Sequence, residues 1–234
     1  MITIRKAHDR GRTEAGWLHA WHTFSFGEYH DPRHTRFRTL RVINDDTVEP
    51  GQGFGRHPHR DMEIITVVLE GALEHKDSLG HGEVLRPGEV QVMSAGSGIE
   101  HSEFNPSTRE RTHLLQTWIF PEQKGIPPAY GQKAFPREQR LNTFRRVAGR
   151  DKVDGDGALK INQDADVLLA ALTPGGSTER ALGPGRGAWV HVATGEATVN
   201  GHALKAGDAA ALVDEPQISV SSKEGGDLLV FDLA

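Results

Sequence analysis

Cysteine is absent from the 234 residues, which excludes disulfide staples, thiolate metal sites and a cysteine nucleophile. Any bound metal must be held by nitrogen and oxygen. No apolar run approaches the ~18 residues of a membrane-spanning helix. The start, MITIRKAHDRGRTEAGW, has basic residues but lacks the apolar stretch of a signal peptide. A cytoplasmic protein without membrane contact is expected. Excess basic charge is missing too: 27 Lys and Arg against 32 Asp and Glu leave a formal charge of -5. That balance gives no electrostatic footprint for nucleic acid, so direct nucleic-acid binding is not expected.

What the chain does have is 27 Gly, 12 Pro and 13 His in an otherwise ordinary globular composition of 36% hydrophobic and 25% charged residues. Short strand-like runs such as FRTLRVIND, MEIITVVLEGALEH, HLLQTWIFP, DVLLAALTP, AWVHVATGEATVNG and DLLVFDL are separated by Gly, Pro, Asn and Asp. The intervals are too short for crossover helices, so an all-β fold is expected. Two stretches repeat. VVLEGALEH (67–75) matches HVATGEATV (191–199), and LRPGEVQVM (85–93) matches LKAGDAAAL (204–212). The pattern predicts two antiparallel β-barrels of similar design, residues 1–130 and 131–234, joined by a linker-like stretch at 121–139.

Function can be kept in one copy of a repeat and lost in the other. The alignment carries His57, His59 and Glu63 onto Ala181, Gly183 and Gly187, and His101 and Glu103 onto Val220 and Ser222. The C-terminal copy is therefore expected to be scaffold or lid. In the N-terminal copy His57 and His59, two apart, share a face if the segment is extended, and Pro58 keeps His57 out of the helical region. Alone, such a pair reads better as two polar loop residues than as a metal site. His101 and Glu103 repeat the spacing after a glycine-rich turn, and three imidazoles plus a carboxylate suit Fe(II), Mn, Co, Ni, Cu(II) or Zn.

Both pairs fall in a known pattern. GQGFGRHPHRDME resembles the first cupin motif, and GEVQVMSAGSGIEHSEFN resembles the second, with Gly88, Gly96, His101 and Asn105 in order. Two departures stand out: Ser94 replaces a common proline, and the glycine closing the first motif comes one residue late, at Gly71. Together with HTFSFGEYHDPRHTRFRTLRVIND, these features resemble the pirin family and its bacterial members, strongly over the first ~120 residues and faintly beyond.

The resemblance implies a bicupin, two jelly-roll barrels in one chain, with one divalent transition metal in the N-terminal barrel held by His57, His59, His101 and Glu103. Iron(II) is the expected ion; Ni, Co, Mn, Cu and Zn are alternatives. Four ligands would saturate a tetrahedral zinc, whereas a six-coordinate metal would keep two open positions. The implied activity is quercetinase-type dioxygenation of a flavonol such as quercetin by O2, with release of carbon monoxide. A metal acting as Lewis acid would acidify a bound hydroxyl, and Glu103 could take its proton as the catalytic base. The resemblance equally implies an alternative, a metal-dependent regulatory or redox-sensing protein acting through protein partners. A monomer is expected, because a bicupin pairs its barrels internally.

Glu63 lies four after His59, an even spacing that keeps it on the same face, and is a candidate partner for a ligating imidazole N–H. Phe24, Phe26, Phe54, Phe104 and Trp118 could grip a flat polyphenol, but aromatics in strands are expected in the core. His19, His22, His30, His34, His75, His81, His113, His191 and His202 fit no ligand spacing and read as satisfied or surface residues. GQGFG mimics a dinucleotide loop but leads into a strand, and Ser94 and Ser97 lack a nucleophile elbow.

Overall fold

The computed structural model describes residues 1–151 and 155–234. The fold is a bicupin built almost wholly of antiparallel strands; the helical segments among the described residues are two 3-10 turns, Ala7–Asp9 and Arg137–Arg140. None is long and apolar enough to cross a membrane. In the N-terminal half a four-stranded sheet runs in the order Gly53–His59, Ile99–Phe104, Leu73–Asp77, Gly82–Leu85. Facing it is a seven-stranded sheet that centres on Glu63–Glu70, Thr112–Ile119 and Leu40–Val48. The C-terminal half builds its larger sheet on Ala165–Leu172, Gly187–Val199 and Gly226–Leu233.

The central strands are apolar on both faces, which explains why their sequences run without clean alternation. Along Glu63–Glu70, Ile64 and Val68 point into the N-terminal barrel, while Ile65 and Val67 point out toward the other barrel. Along Ala165–Leu172, Leu168, Ala170 and Leu172 fill the C-terminal barrel, while Val167 and Leu169 join Ile65 and Val67. The two outer faces thus form one shared core, in which Trp189 packs against Phe24 at 5.0 Å and Phe37 at 5.5 Å between ring centroids. Each fully buried Leu, Ile or Phe there contributes ~1.5–3 kcal/mol.

The chain crosses between halves at both ends. Ile2–Arg5 pairs with Ala209–Val213 and so extends the C-terminal sheet, and Ala129–Ala134 pairs with Glu89–Ser94 and extends the N-terminal one. The boundary expected at 130/131 therefore falls inside a strand. Each crossing covers a sheet edge that would otherwise present unpaired backbone groups.

The internal repeat has a physical basis in two turns. Gly71 and Gly195 both have positive φ, +77° and +68°, and a Cβ would lie 2.5 Å from the Arg111 carbonyl oxygen and 2.3 Å from that of Gly225. Only glycine fits either turn. The part of the alignment that carries His57 and His59 is out of register: with His101 set on Val220, Thr178 pairs with Val220 and Arg180 with Ile218. The positions that replace the His57/His59 pair are therefore Thr178 and Arg180, not Ala181 and Gly183.

Phe231 is fully buried in the shared core. Phe231→Ala should cost ~3–5 kcal/mol in urea denaturation, the usual penalty for emptying a large core position. A loss below ~1 kcal/mol would show that the contact between barrels contributes little.

Candidate metal centre

Strand Gly53–His59 is the edge of the four-stranded sheet, the position at which a strand tolerates a proline such as Pro58. Its antiparallel register with Ile99–Phe104 sets His57 opposite His101 and His59 opposite Ile99. The three imidazoles converge, with ring centroids 4.4 Å apart for His57 and His101 and 4.8 Å for each of the other pairs. One potential donor atom from each of the three lies within 4.8 Å of the others.

The tautomers favour metal binding. His57 Nδ1–H donates to the Gly55 carbonyl at 2.7 Å, which leaves Nε2 with a free lone pair. His59 Nε2 and His101 Nε2 are buried and have no hydrogen-bond partner among the described residues. Burial pushes His59 down to about 4, helped by His57, and His101 down to about 2, helped by the other histidines around it. Neutral rings with unshared nitrogen lone pairs are what a divalent cation requires.

Glu103 follows His101 across a β-bulge, and the register resumes with Glu103 opposite Phe54. Its carboxylate is not in the close triplet with His57 and His59; it groups with His101 and His75. Burial pushes it up to about 7, against the opposing effect of the Gln116 amide, which donates to both carboxylate oxygens at 3.1 and 2.8 Å. Gln116 is oriented in turn by Trp118, whose Nε1–H donates to its carbonyl at 3.2 Å.

A cavity of about 230 Å³ lies against His57, His59 and Glu103. Phe26, Phe54 and Trp118 line it, with Trp118 edge-on to His59 at 4.9 Å. These three aromatics, expected in the core, belong to the cavity wall; Phe24 is in the shared core and Phe104 is 36% exposed. His22, Asn44 and Asp46 form a polar stretch of the same wall. His22 Nδ1 is 2.8 Å from Asn44 Oδ1. Asp46 Oδ1 is buried with no partner among the described residues, and burial, with Asp45 and Glu103 adding to it, holds its carboxyl well above the usual range.

Glu63 is elsewhere. Asp61, with φ +51°, turns the chain between His59 and the next strand, so even spacing no longer preserves the face. Glu63 is buried on the side toward the C-terminal half, where Ser94 Oγ donates to it at 2.7 Å and Asn162 Nδ2 at 3.2 Å. It pairs with no imidazole. The side chain beside His101 is His75, which matches no ligand spacing: its ring is fully buried and its Nδ1 lies 3.4 Å from His101 Nδ1. The available signal was the period-2 pair His75 and Asp77 in the strand beside His101. Both groups of side chains able to hold a metal, among the described residues, lie in the N-terminal barrel. The interior of the other barrel is filled by Ile218, Val220 and their apolar neighbours.

Residues 3–119 match the family model described as Pirin, and residues 147–233 match that of the quercetinase C-terminal cupin domain. The chain is 46% identical over 233 residues to the quercetin 2,3-dioxygenase of Escherichia coli K12, covering 100% of this chain and 99% of that protein. It is 44% identical to a pirin-like protein of Caulobacter vibrioides over 98% of this chain and 99% of the other. The crystal structure of the E. coli bacterial pirin YhhW in complex with nickel(II) superposes with a TM-score of 0.94 at 46% identity, covering 100% and 99% of the two chains.

The placement of Glu63 makes a prediction. Burial raises its carboxyl above the usual glutamate range, and a carboxyl raised on folding contributes stability that is present below its unfolded pKa and lost as pH climbs through the folded one. Relative to Glu63→Gln, the wild type should lose stability as pH rises from the ordinary glutamate range toward neutrality in chemical denaturation. Both proteins should bind the same amount of metal per chain by elemental analysis; loss of metal from the variant would return Glu63 to the metal centre.

Proposed function

The chain belongs to the pirin family, and on that premise we propose that it is a metal-dependent dioxygenase of the quercetinase type. The substrate is a flavonol such as quercetin, whose central ring is opened by O2 with release of carbon monoxide. The proposed ligands are His57, His59, His101 and Glu103. The proposed ion is iron(II), with nickel, cobalt and manganese as the alternatives that leave open positions. The observation that carries the reading is the pair of buried, unpartnered Nε2 atoms, on His59 and His101, beside an aromatic-walled cavity that also holds Glu103.

When bound, the metal supplies Lewis acidity that makes a substrate hydroxyl easier to ionise. The protein's own residues do the rest. Phe26, Phe54 and Trp118 offer apolar surface to a flat aromatic ring. Glu103, buried and held by Gln116, is the proposed acceptor of the hydroxyl proton. Asp46, Asn44 and His22 supply the few polar groups that would fix the orientation of a polyhydroxylated ligand. The chemistry is assigned to the N-terminal barrel, 1–130, and a scaffold role to 131–234. A monomer is part of the proposal, supported by the shared core, which covers the outer sheet face of each barrel.

The test is to load the purified protein with each metal in turn and follow flavonol absorbance under O2. Turnover should vanish with a chelator and return with the metal. His57→Ala should lose bound metal and turnover with its circular dichroism unchanged. Glu103→Gln should reduce turnover by ~10²–10⁴-fold, the range for loss of a general base. Absence of turnover with every redox-competent metal would overturn the enzyme reading, and a fully active Glu103→Gln protein would overturn the role of Glu103.

A further inference from the structure

Beside the metal centre, a series of polar side chains runs across the inner face of the four-stranded sheet. Leu73–Asp77 pairs with Ile99–Phe104 so that His75 lies opposite Glu103 and Asp77 opposite His101. The side chains of His75 and Asp77 have no solvent exposure. Asp77 Oδ2 lies 3.3 Å from His75 Nε2, and His75 Nδ1 lies 3.4 Å from His101 Nδ1, at the long end of hydrogen bonding. The carboxylate of Asp77 is fixed by the backbone N–H groups of Leu79 and His81 at 2.9 and 3.0 Å. The ring of Tyr130 stacks on His75 at 4.9 Å, which holds the imidazole plane.

Hydrogen-bond polarity gives the series a direction, set by the carboxylate at its end. A carboxylate only accepts, so His75 carries its proton on Nε2. Its Nδ1 is then a lone pair, with the Gln91 Nε2 amide 3.4 Å away. The same lone pair faces His101 Nδ1, which can meet it only as an N–H, so His101 is left with an unprotonated Nε2, the atom that is buried without a partner among the described residues. We propose that Asp77 and His75 are positioning residues for the metal centre: they lock His101 in its Nδ1–H tautomer and aim its Nε2 lone pair at the metal. An imidazole in this place is unusual, because a ligating histidine is commonly oriented by a carboxylate, a carbonyl or water. Here the carboxylate acts one ring further out.

This inference rests on His101 being a ligand, as proposed above, and the experiment separates the two. Nickel(II) affinity is measured by chelator competition for the parent, His75→Leu, His75→Asn and Asp77→Asn. The asparagine at 75 can put its amide oxygen where His75 Nδ1 stands, whereas leucine fills space without accepting. The expected result is a ten- to hundredfold weaker affinity in His75→Leu and recovery to within about threefold of the parent in His75→Asn. Asp77→Asn keeps the backbone contacts but presents an N–H to His75, and should weaken binding like the leucine variant. Nitrogen-15 spectra of the zinc-loaded parent should show protons on His101 Nδ1 and His75 Nε2. Equal affinities for the leucine and asparagine variants, or a proton on His75 Nδ1 in the parent, would overturn the proposal. A parent that binds no nickel would overturn the ligand assignment itself.

Discussion

The site depends on one antiparallel register, that of Gly53–His59 against Ile99–Phe104. Strand side chains alternate, so a slip of one residue would turn His57 and His59 outward and put Arg56 and Pro58 in their place. Several contacts hold the register. Gly53 passes so close to the next strand that a Cβ would sit 2.2 Å from the Glu103 carbonyl oxygen. Arg56 and Glu100, on the outer face, form an ion pair at 2.7 Å. The bulge between His101 and Glu103 then re-aims the carboxylate without disturbing the pairing on either side.

Two barrels of one design use their interiors in opposite ways. The C-terminal interior is closed by apolar side chains, and its counterparts to the ligand strands contribute Ile218 and Val220 to that packing. The N-terminal interior keeps buried polar groups without partners among the described residues, including His59 Nε2, His101 Nε2 and Asp46 Oδ1. Unsatisfied groups of this kind destabilise a fold. The apolar core between the barrels, with Trp189 and Phe231 on one side and Ile43 and Leu115 on the other, offsets that cost. The second barrel therefore serves the site without contributing a ligand to either group.

The sequence shows the local rules well. Period-2 spacing picks out His57, His59, His101 and Glu103, and the repeated strand-glycine-strand pattern locates the tight turns at Gly71 and Gly195. It fails wherever a contact depends on how separate strands meet. Glu63 is misassigned because a single left-handed residue, Asp61, breaks the parity between it and His59. His75 is overlooked because its partner His101 is on a neighbouring strand, and only the cross-strand register joins them. The cavity wall at Asn44 and Asp46 is hidden in the same way, within a strand that reads as plain core. Phe26, Phe54 and Trp118 look like core aromatics because they are packed on one side and open on the other. The replacement positions Thr178 and Arg180 are displaced from the aligned ones because the loops before the two hairpins differ in length, which spacing alone does not reveal.

The strand exchange has a consequence for how the molecule is made. During vectorial synthesis Ile2–Arg5 emerges ahead of the entire N-terminal barrel, yet its pairing partner, Ala209–Val213, emerges only when most of the C-terminal barrel has followed. The contact is among the most non-local in the chain, and contacts of this type form late because the intervening loop must first be closed. The edge of the C-terminal sheet stays open until then, and a nascent chain carries an unpaired strand at each of the two places that will meet. Completion of the second barrel is thus also the event that fastens the leading end of the first.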